Sequence, residues 1–243
     1  MTPERFTRLT EALNNRQPDL TLVTDDVHKD RNLSAIMRNC EAVGIHEIHC
    51  VIPKGHYRPF RGTARGAWRW VNLNIHKTIT EPLQQLKNSG YQLVAAHLCD
   101  NAINFRKIDY TRPTAIVMGN EKEGLSAEAH GYIDHAITIP MRGMVESFNV
   151  SVASGIILSE AQRQREEVGM YGTNRISKQQ FEKTFFEWAH PQLARFCRDK
   201  RLPYPPLDEA GELIDGPEWY KNVREALLLR KDIKIQPAIK PDL

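Results

Sequence analysis

Short apolar runs alternate with amphipathic segments along the first two thirds of the chain. The runs are DLTLVTD, EIHCVI, VNLNIHK, YQLVAAHL, TAIVMG and HAITIP. Most of them are apolar at successive positions, which is typical of strands buried on both faces of a parallel sheet. Between them, apolar residues at helical spacing predict helices over residues 34–43 and 81–90, and a long helix after Asn149. The pattern therefore predicts an α/β fold with a mostly parallel sheet covered by helices.

The two ends of the chain lack this alternation. Residues 1–18 predict a helical extension, and no further series of strands follows residue 169. A helical pattern covers residues 177–200, the proline-rich segment RLPYPPLDEAG comes next, and a last helix is predicted near residues 218–230. We therefore expect an N-terminal helical extension (1–18), an α/β domain (19–168) and a helical, basic and proline-rich C-terminal extension (169–243).

The composition argues against several classes of protein. A hydrophobic content of 41% is ordinary for a globular chain, and no apolar run reaches the length of a membrane span. The first residues, MTPERFTRLTEAL, lack the apolar stretch and cleavage site of a signal peptide, so we expect a cytoplasmic protein. The four cysteines form no C-x-x-C pair, which indicates neither a zinc ribbon nor a disulfide framework. His46 and His49 lack helical metal-ligand spacing, and we expect no metal site.

Cations concentrate in one segment, although the formal net charge of the whole chain is only +3. No acidic residue occurs between Glu47 and Glu81, and cations there alternate with aromatic residues: Lys54, Tyr57, Arg58, Phe60, Arg61, Arg65, Trp68, Arg69, Trp70 and Lys77. Cations interleaved with aromatic rings are typical of surfaces that bind single-stranded nucleic acid. Arg58, Arg61 and Arg65 are therefore candidates for RNA binding, and a solvated basic loop is the alternative interpretation.

The segment KDRNLSAIMRNCEAVG places two polar residues around the start of a predicted helix. Asn32 and Arg38 are six residues apart, and both could face one ligand. Taken alone, however, an arginine in an otherwise apolar helix is more often a surface residue whose aliphatic stem packs against the helix.

A second motif, VMGNEKEGLS, follows a predicted strand. Gly119 and Gly124 resemble the glycines of a phosphate-binding loop, but Leu125 occupies the position where such a loop needs lysine. Glu121 and Glu123 would also repel an anion. Acidic groups at the carboxyl end of a parallel strand favour a cationic or hydroxyl-bearing ligand instead.

The third motif, IPMRGMVESFNVSVASGIILSEAQRQR, joins a polar entrance to a helix of small and apolar residues. Asn149 is a good N-cap, and the chain before it can present Ser147 and backbone N–H groups to a ligand. Ser154 and Gly155 belong to a small-residue face that lets another backbone approach closely. An ordinary capped core helix is the alternative, but it leaves Glu146 and Ser147 unexplained.

Together, NLSAIMRNCEAVG, IVMGNEKEGLS and IPMRGMVESFNVSVASGIILSE resemble the three motifs of the SpoU branch of the SPOUT methyltransferases, also called the SpoU/TrmH family. The resemblance extends to NNRQPDLTL near the start and RLPYP near the end. It implies an α/β domain whose C-terminal part is tied in a trefoil knot, although knots are rare in proteins. It also implies the cofactor S-adenosyl-L-methionine and no metal. From the family's two-chain site and from the small-residue face, which invites close packing, we predict a homodimer with the helix over residues 150–162 at its interface.

The same resemblance implies the roles of individual residues. Those of the active site would be Asn32 and Arg38, supported by Glu121, Ser147 and Asn149. The cofactor would lie against the chain at Ala96, Gly119 and Ile139, with Phe148 beside the adenine. A guanidinium resists deprotonation, so we expect Arg38 to position a phosphate and stabilise alkoxide charge rather than act as a base.

Within the family, the likeness is greatest to the enzymes that methylate the ribose 2′-hydroxyl of guanosine 18 in the D-loop of tRNA. The flanks favour this substrate, because the N-terminal helix (Arg5, Arg8 and Arg16) and the C-terminal helix (Arg198 and Lys200) could bind tRNA phosphates. Ribosomal RNA is an alternative substrate, and a non-catalytic RNA-binding module is an alternative of another class.

Overall fold

The computed structural model describes residues 1–27, 29–52, 61–120 and 123–233, and the side chains of all of these except 61, 62 and 226–233. The strands are β1 Leu20–Asp25, β2 Glu47–Val51, β3 Asn72–His76, β4 Gln92–Ala96, β5 Ile103–Asn104, β6 Thr114–Met118 and β7 His135–Thr138. The helices are α1 Pro3–Asn14, α2 Asp30–Ala42, α3 Arg61–Ala64, α4 Thr80–Asn88, α5 Ala127–His130, α6 Val150–Glu167, α7 Lys178–Ala189, α8 Pro191–Lys200 and α9 Gly216–Ile233.

The strands form one sheet in the order β3-β2-β1-β6-β4-β7-β5, and every neighbouring pair is parallel. The predicted α/β class is confirmed, and each of the six apolar runs contains one strand. The two-residue strand β5 was not predicted, because two residues are too few to show a periodic pattern.

Each face of the sheet is covered by its own group of helices. On one face, α2 and α6 pack against side chains such as Leu22 and Ile116. On the other face, α4 and α5 pack against side chains such as Val23 and Val117. Adjacent residues of a strand point to opposite faces, so burial on both faces explains the continuous apolar runs.

Helices α2 and α6 are joined by the small residues of α6. Ser154 is fully buried, and the Asn39 side-chain amide donates to the Ser151 carbonyl at 2.7 Å and to Ser154 Oγ at 3.1 Å. A Cβ atom at Gly155 would lie 3.2 Å from Asn39 Nδ2. The close approach predicted for Ser154 and Gly155 therefore occurs, but with α2 of the same chain, so these two residues are no evidence for a second copy.

Contacts divide the chain into two compact units, one formed by residues 11–178 and the other by residues 1–10 with 179–243. In the second unit, Phe6 packs edge-to-face on Phe185, and Arg5 donates to the Trp188 carbonyl at 3.2 Å.

The helix predicted over 177–200 is divided into α7 and α8 at His190, because Pro191 lacks an N–H and disfavours helical geometry at the preceding residue. None of the helices that the structure describes is long and apolar enough to cross a membrane.

Arg16 was expected to contact RNA, but its side chain is only 2% exposed. Its guanidinium donates to the Ile45 carbonyl at 2.8 Å and lies 3.6 Å from the Glu41 carboxylate. The expectation was wrong, because the arginine stabilises the chain between α2 and β2 and is inaccessible to a polyanion.

A second buried arginine holds α6 against the segments that lead into two strands. Arg165 is fully buried and donates to the carbonyl oxygens of Tyr110, Arg112 and Asp19. It also donates to the Asp19 carboxylate at 2.6 Å. Burial alone would raise the pKa of that carboxyl, but hydrogen bonds from Arg175 and Arg165 outweigh it and lower the pKa. This arginine therefore connects α6 with the segments that precede β1 and β6.

His49 makes the stability of the fold depend on pH. It is buried on β2, its Nδ1 lies 3.0 Å from Nε2 of His76, and burial together with the His76 charge lowers its pKa to about 4. The unfolded chain binds this proton near pH 6.5, so the stabilising contribution is complete above that pH and is lost as the pH falls toward 4. Between pH 7.5 and pH 5, the wild-type protein should lose about 2 kcal/mol more of its free energy of unfolding than His49→Gln does. Urea denaturation at the two pH values measures this difference. An unchanged pH dependence would contradict this expectation.

Candidate functional site

An open cavity of about 560 Å³ lies at the carboxyl ends of β4, β6 and β7. Ala96 pairs with Met118 on one side and with Ile137 on the other, so the three strands end at the same level. The lining residues are Lys29, Ala96, His97, Leu98, Met118, Gly119, Asn120, Glu123, Gly124, Ile137, Thr138, Ile139, Met141, Glu146, Ser147, Phe148, Asn149, Val150, Ala153 and Ile157. All four residues expected around the cofactor are among them, although its binding there stays a prediction.

The loop after β6 is closed by backbone contacts. Asn120 and Gly124 exchange two backbone hydrogen bonds, of 2.9 and 3.2 Å. A Cβ atom at Gly119 would lie 2.3 Å from the carbonyl carbon of Gly124, so only glycine fits this close approach. The Ser126 N–H donates to the buried Asp25 carboxylate at 2.8 Å and anchors the loop to β1. The close approach of Gly119 and Gly124 thus shapes the described part of this rim of the cavity.

Asn149 connects two helices at the opposite rim. Its Oδ1 accepts from the Ser151 N–H at 2.9 Å and from Ser151 Oγ at 2.6 Å, which confirms the predicted N-cap of α6. Its Nδ2 donates to Oδ1 of Asn32, at 3.3 Å, in the first turn of α2. The structure therefore brings Asn32 and Asn149 together beside Ser147, whose exposed side chain lines the cavity.

Charged side chains give the cavity a mildly negative character. Among the described lining residues, the carboxylates of Glu123 and Glu146 outnumber the single ammonium of Lys29. The ring of His97 lies 5.1 Å from that of His130, and burial together with the His130 charge lowers the pKa of His97. His97 is therefore neutral at physiological pH, and the remaining charges favour a cationic ligand.

Arg38 lies outside this cavity. Its side chain is exposed on α2, and it makes no hydrogen bond or ion pair with the residues that the structure describes. Six residues of helix rotate it by about 120° from Asn32, so the two side chains leave α2 in different directions. The structure brings together Asn32, Ser147 and Asn149 but leaves Arg38 apart, and its catalytic role stays a prediction.

Three of the predicted residues cannot be placed. Glu121 and Arg58 lie outside the described residues, as does the side chain of Arg61. The remaining candidates for RNA binding are exposed: Arg8, Arg65, Arg198 and Lys200. Arg198 is already paired with the Glu187 carboxylate at 3.3 Å, which leaves its guanidinium less available than that of Arg8. Close to Arg65, Arg69 lies over the ring of Trp68, which is 43% exposed.

Two lining residues, Lys29 and His97, were missed by sequence reasoning, as was the helix-joining Asn39. His97 directly follows Ala96, and its signal was a polar residue at the carboxyl end of a predicted strand. Lys29 begins the segment KDRNLSAIMRNCEAVG, but nothing in that pattern singled it out from the other cations of the chain. In the described part of the chain, no three His, Cys, Asp or Glu side chains are grouped to hold a metal ion.

Two family models match this chain. Residues 19–159 match the SpoU rRNA Methylase family, and residues 163–216 match the C-terminal model described as SpoU, rRNA methylase. The tRNA (guanosine(18)-2′-O)-methyltransferase of Escherichia coli is 45% identical over 228 residues, which cover 93% of this chain and 100% of that protein. The enzyme of the same name from Thermus thermophilus is 46% identical, over 77% of this chain and 96% of that protein.

Solved structures show the same fold. The A. aeolicus TrmH/SpoU tRNA modifying enzyme superposes with a TM-score of 0.74 at 42% identity, covering 78% of this chain and 97% of that one. An AdoMet-bound rRNA methyltransferase from Sinorhizobium meliloti matches with a TM-score of 0.52 at 29% identity, covering 61% of this chain and 60% of that one.

Proposed function

This chain belongs to the SpoU rRNA methylase family, and on that premise we propose that it methylates the ribose 2′-hydroxyl of guanosine 18 in tRNA, using S-adenosyl-L-methionine. One observation carries the substrate: the 45% identity to a tRNA guanosine-18 methyltransferase runs along 93% of this chain. The identity to the rRNA methyltransferase from Sinorhizobium meliloti is 29% over 61% of this chain. Ribosomal RNA is therefore the weaker candidate.

The cavity suits the proposed cofactor by its chemistry. Bound S-adenosyl-L-methionine would supply a methyl group carried on a sulfonium cation. Ala96, Ile139 and Phe148 offer an apolar wall to an adenine ring, and Phe148 is 40% exposed and therefore accessible for stacking. Glu123 and Glu146 offer carboxylates to the cationic part of the molecule. Gly119 lines the cavity just after β6, and its backbone is proposed to contact the cofactor.

The polar residues at the rim would align the ribose for methyl transfer. An in-line displacement depends on a fixed approach of the hydroxyl oxygen, which is worth many orders of magnitude in rate. We assign this positioning to Ser147 and to the Asn32–Asn149 pair, which is held between the starts of two helices. Glu121, in the segment after β6, is proposed to help position the ribose, and this role rests on the family motif alone.

Dimer formation would explain the position of Arg38. Because this side chain lies outside the cavity of its own chain, a second copy could bring it to the site. Val152 is 48% exposed on α6, and Met144 is fully exposed on the segment before that helix. Exposed apolar side chains beside a site are typical of an interface. We therefore propose a homodimer in which the exposed face of α6 is buried.

We expect the wild-type protein to sediment as a dimer at micromolar concentration and Val152→Asp to sediment as a monomer. The substitution places a charge in the centre of the proposed apolar contact. Val168→Asp is the matched control, because Val168 is also exposed and ends the same helix on its opposite side. A wild-type monomer, or equal dissociation of both variants, would contradict the proposed interface.

The C-terminal part of the α/β domain is proposed to be knotted, as in the SPOUT family. The sheet order supports this proposal, because β6 lies between β1 and β4 while β7 lies between β4 and β5.

The exposed cations Arg8, Arg65, Arg198 and Lys200 are proposed to hold tRNA phosphates. Arg58 and Arg61 are proposed to do the same, because they belong to the same basic and aromatic segment as Arg65.

Incubation of the protein with unmodified tRNA transcripts and methyl-labelled S-adenosyl-L-methionine tests the substrate. We expect one label per tRNA, mapped to the ribose of guanosine 18, and none in a transcript that carries 2′-deoxyguanosine there. A ribosomal RNA fragment is assayed in parallel. Label at another nucleotide, or in ribosomal RNA only, would overturn the substrate while leaving the reaction class intact.

A further inference from the structure

A second cavity, of about 570 Å³, lies in the unit formed by residues 1–10 and 179–243, and the proposed methyl transfer does not use it. It opens beside the first turns of α8 and the start of α9. The residues that matter for its chemistry are His190, Gln192, Leu193, Phe196, Leu213 and Tyr220. Its size is in the range of ordinary small-molecule pockets.

Its walls suit a flat aromatic ring. Tyr220 is 48% exposed, and the ring of Trp219 supports it edge-to-face at 5.0 Å between centroids. Phe196 and Leu193 are half-buried on the adjoining face of α8. A supported, accessible aromatic ring in an apolar recess is the arrangement on which an unstacked nucleobase binds.

The polar atoms of the cavity can recognise the edge of a base. Nε2 of His190 lies 2.7 Å from the Gly211 carbonyl oxygen, which can only accept, so this nitrogen carries the proton. In the neutral ring, Nδ1 is then an acceptor. Gly211 has a positive φ of 74°, a backbone conformation that favours glycine. The exposed Gln192 amide adds a donor and an acceptor at the rim.

The two walls of the cavity differ in charge: carboxylates of Asp208, Glu209, Glu212, Asp215 and Glu218 lie along the segment that leads to Tyr220, whereas α8 is basic. Residues 191–201 contain the cations Arg195, Arg198, Lys200 and Arg201 but only one carboxylate, Asp199. Arg195 follows Gln192 by three residues on α8, and its side chain is 81% exposed. A surface that places cations beside an open aromatic recess is complementary to a nucleic acid, whereas protein interfaces are depleted in lysine.

We propose that this cavity holds one unpaired nucleobase of the RNA substrate, stacked on Tyr220, while the cations of α8 hold the neighbouring phosphates. The inference rests on the proposed function for the identity of that RNA. The cavity would act as a second anchoring point that contributes affinity without touching the reacting ribose.

Binding of an unmodified tRNA transcript to the full-length protein, measured by fluorescence anisotropy across a salt series, tests the proposal. We expect Tyr220→Ala to weaken binding roughly 5- to 150-fold, as for the loss of one stacked base. Tyr220→Trp should bind like the wild type, because it keeps the stacking surface. Ile214→Ala is the matched control, since Ile214 is 50% exposed but does not line the cavity.

The salt dependence of tRNA binding distinguishes the loss of one stacked base from the loss of phosphate contacts. Tyr220→Ala should leave the slope of log K against log salt unchanged, whereas losing a phosphate contact changes it by roughly 0.7 to 0.9. A photo-crosslinking amino acid at position 220 should label an unpaired nucleotide. Wild-type affinity in Tyr220→Ala, or a crosslink confined to base-paired stems, would overturn the proposal.

Failure of the base pocket and failure of the proposed function give different experimental results. If the wild type binds tRNA and Tyr220→Ala weakens it without any label at guanosine 18, the base pocket stands and the proposed function fails. If guanosine 18 is methylated while Tyr220→Ala binds normally, the pocket fails and the function stands. Altered self-association of Tyr220→Ala with unchanged tRNA affinity would assign the cavity to a second copy of the chain.

Discussion

Arg38→Ala is expected to lower the rate of methyl transfer at saturating tRNA by roughly 100- to 1,000-fold, the usual effect of removing a group that stabilises transition-state charge. The exposed guanidinium makes no hydrogen bond or ion pair with the described residues of its own chain, so the fold and the affinity for the cofactor should be preserved. Arg38→Lys should be nearly as slow, because a point charge cannot replace a planar fork. Single-turnover kinetics with labelled cofactor, together with equilibrium binding of the cofactor, measure both effects.

Mixed dimers test whether Arg38 acts across the proposed interface. Ala96→Phe should block the cofactor cavity, because Ala96 lines it at the end of β4. Each variant alone is inactive, but an equal mixture of Ala96→Phe with Arg38→Ala should regain about a quarter of the wild-type rate, since half of randomly formed dimers carry one complete site. No recovery would mean that Arg38 acts within its own chain. Near-normal turnover of Arg38→Ala would refute its catalytic role altogether.

Arg165→Met is expected to lower the free energy of unfolding by about 3–5 kcal/mol. The substitution removes one hydrogen bond from each of the carbonyl oxygens of Tyr110, Arg112 and Asp19. The Arg112 and Asp19 oxygens keep a donor in Thr114. The Asp19 carboxylate keeps its hydrogen bonds from Arg175 but loses its shortest one. Urea denaturation followed by circular dichroism measures the change.

Arg163→Met is the matched control on the same helix. Arg163 bonds only to Glu160 and Glu167, one turn away on either side, and its side chain is 52% exposed. Exposed ion pairs contribute little, so we expect Arg163→Met to lower the free energy of unfolding much less than Arg165→Met does. A loss in Arg165→Met no larger than that of this control would show that the buried network is not what holds α6.

Local features of the fold were readable from the sequence. The strands were predicted because a parallel sheet covered on both faces needs apolar residues on both sides, and this leaves continuous runs such as TAIVMG. The cap at Asn149 was predicted because it bonds to a residue only two positions away. The cavity residues Ala96, Gly119 and Ile139 were expected from a family resemblance, and each stands at or just after the end of a strand.

Other features depend on residues that are far apart in the chain. Arg8 and Arg16 lie on or next to one predicted helix, yet one is exposed and the other buried beneath a carbonyl 29 residues away. Ser154 and Gly155 correctly indicated close packing, but the sequence could not say whether the partner was α2 or another chain. Arg38 had the motif of a site residue, but the cavity is assembled from segments between residues 96 and 157 together with Lys29, and Arg38 does not line it.

The α/β class, the positions of six strands and the cap of α6 could be predicted because each arises from interactions within a few residues or from burial on both faces of a strand. The tertiary structure decided which arginines are buried, what covers the small face of α6, and that His97 and Lys29 join the cavity. These outcomes depend on desolvation by distant segments, as when Asp19 meets Arg165 across 146 residues of chain. Residue type alone carries no record of such a partner.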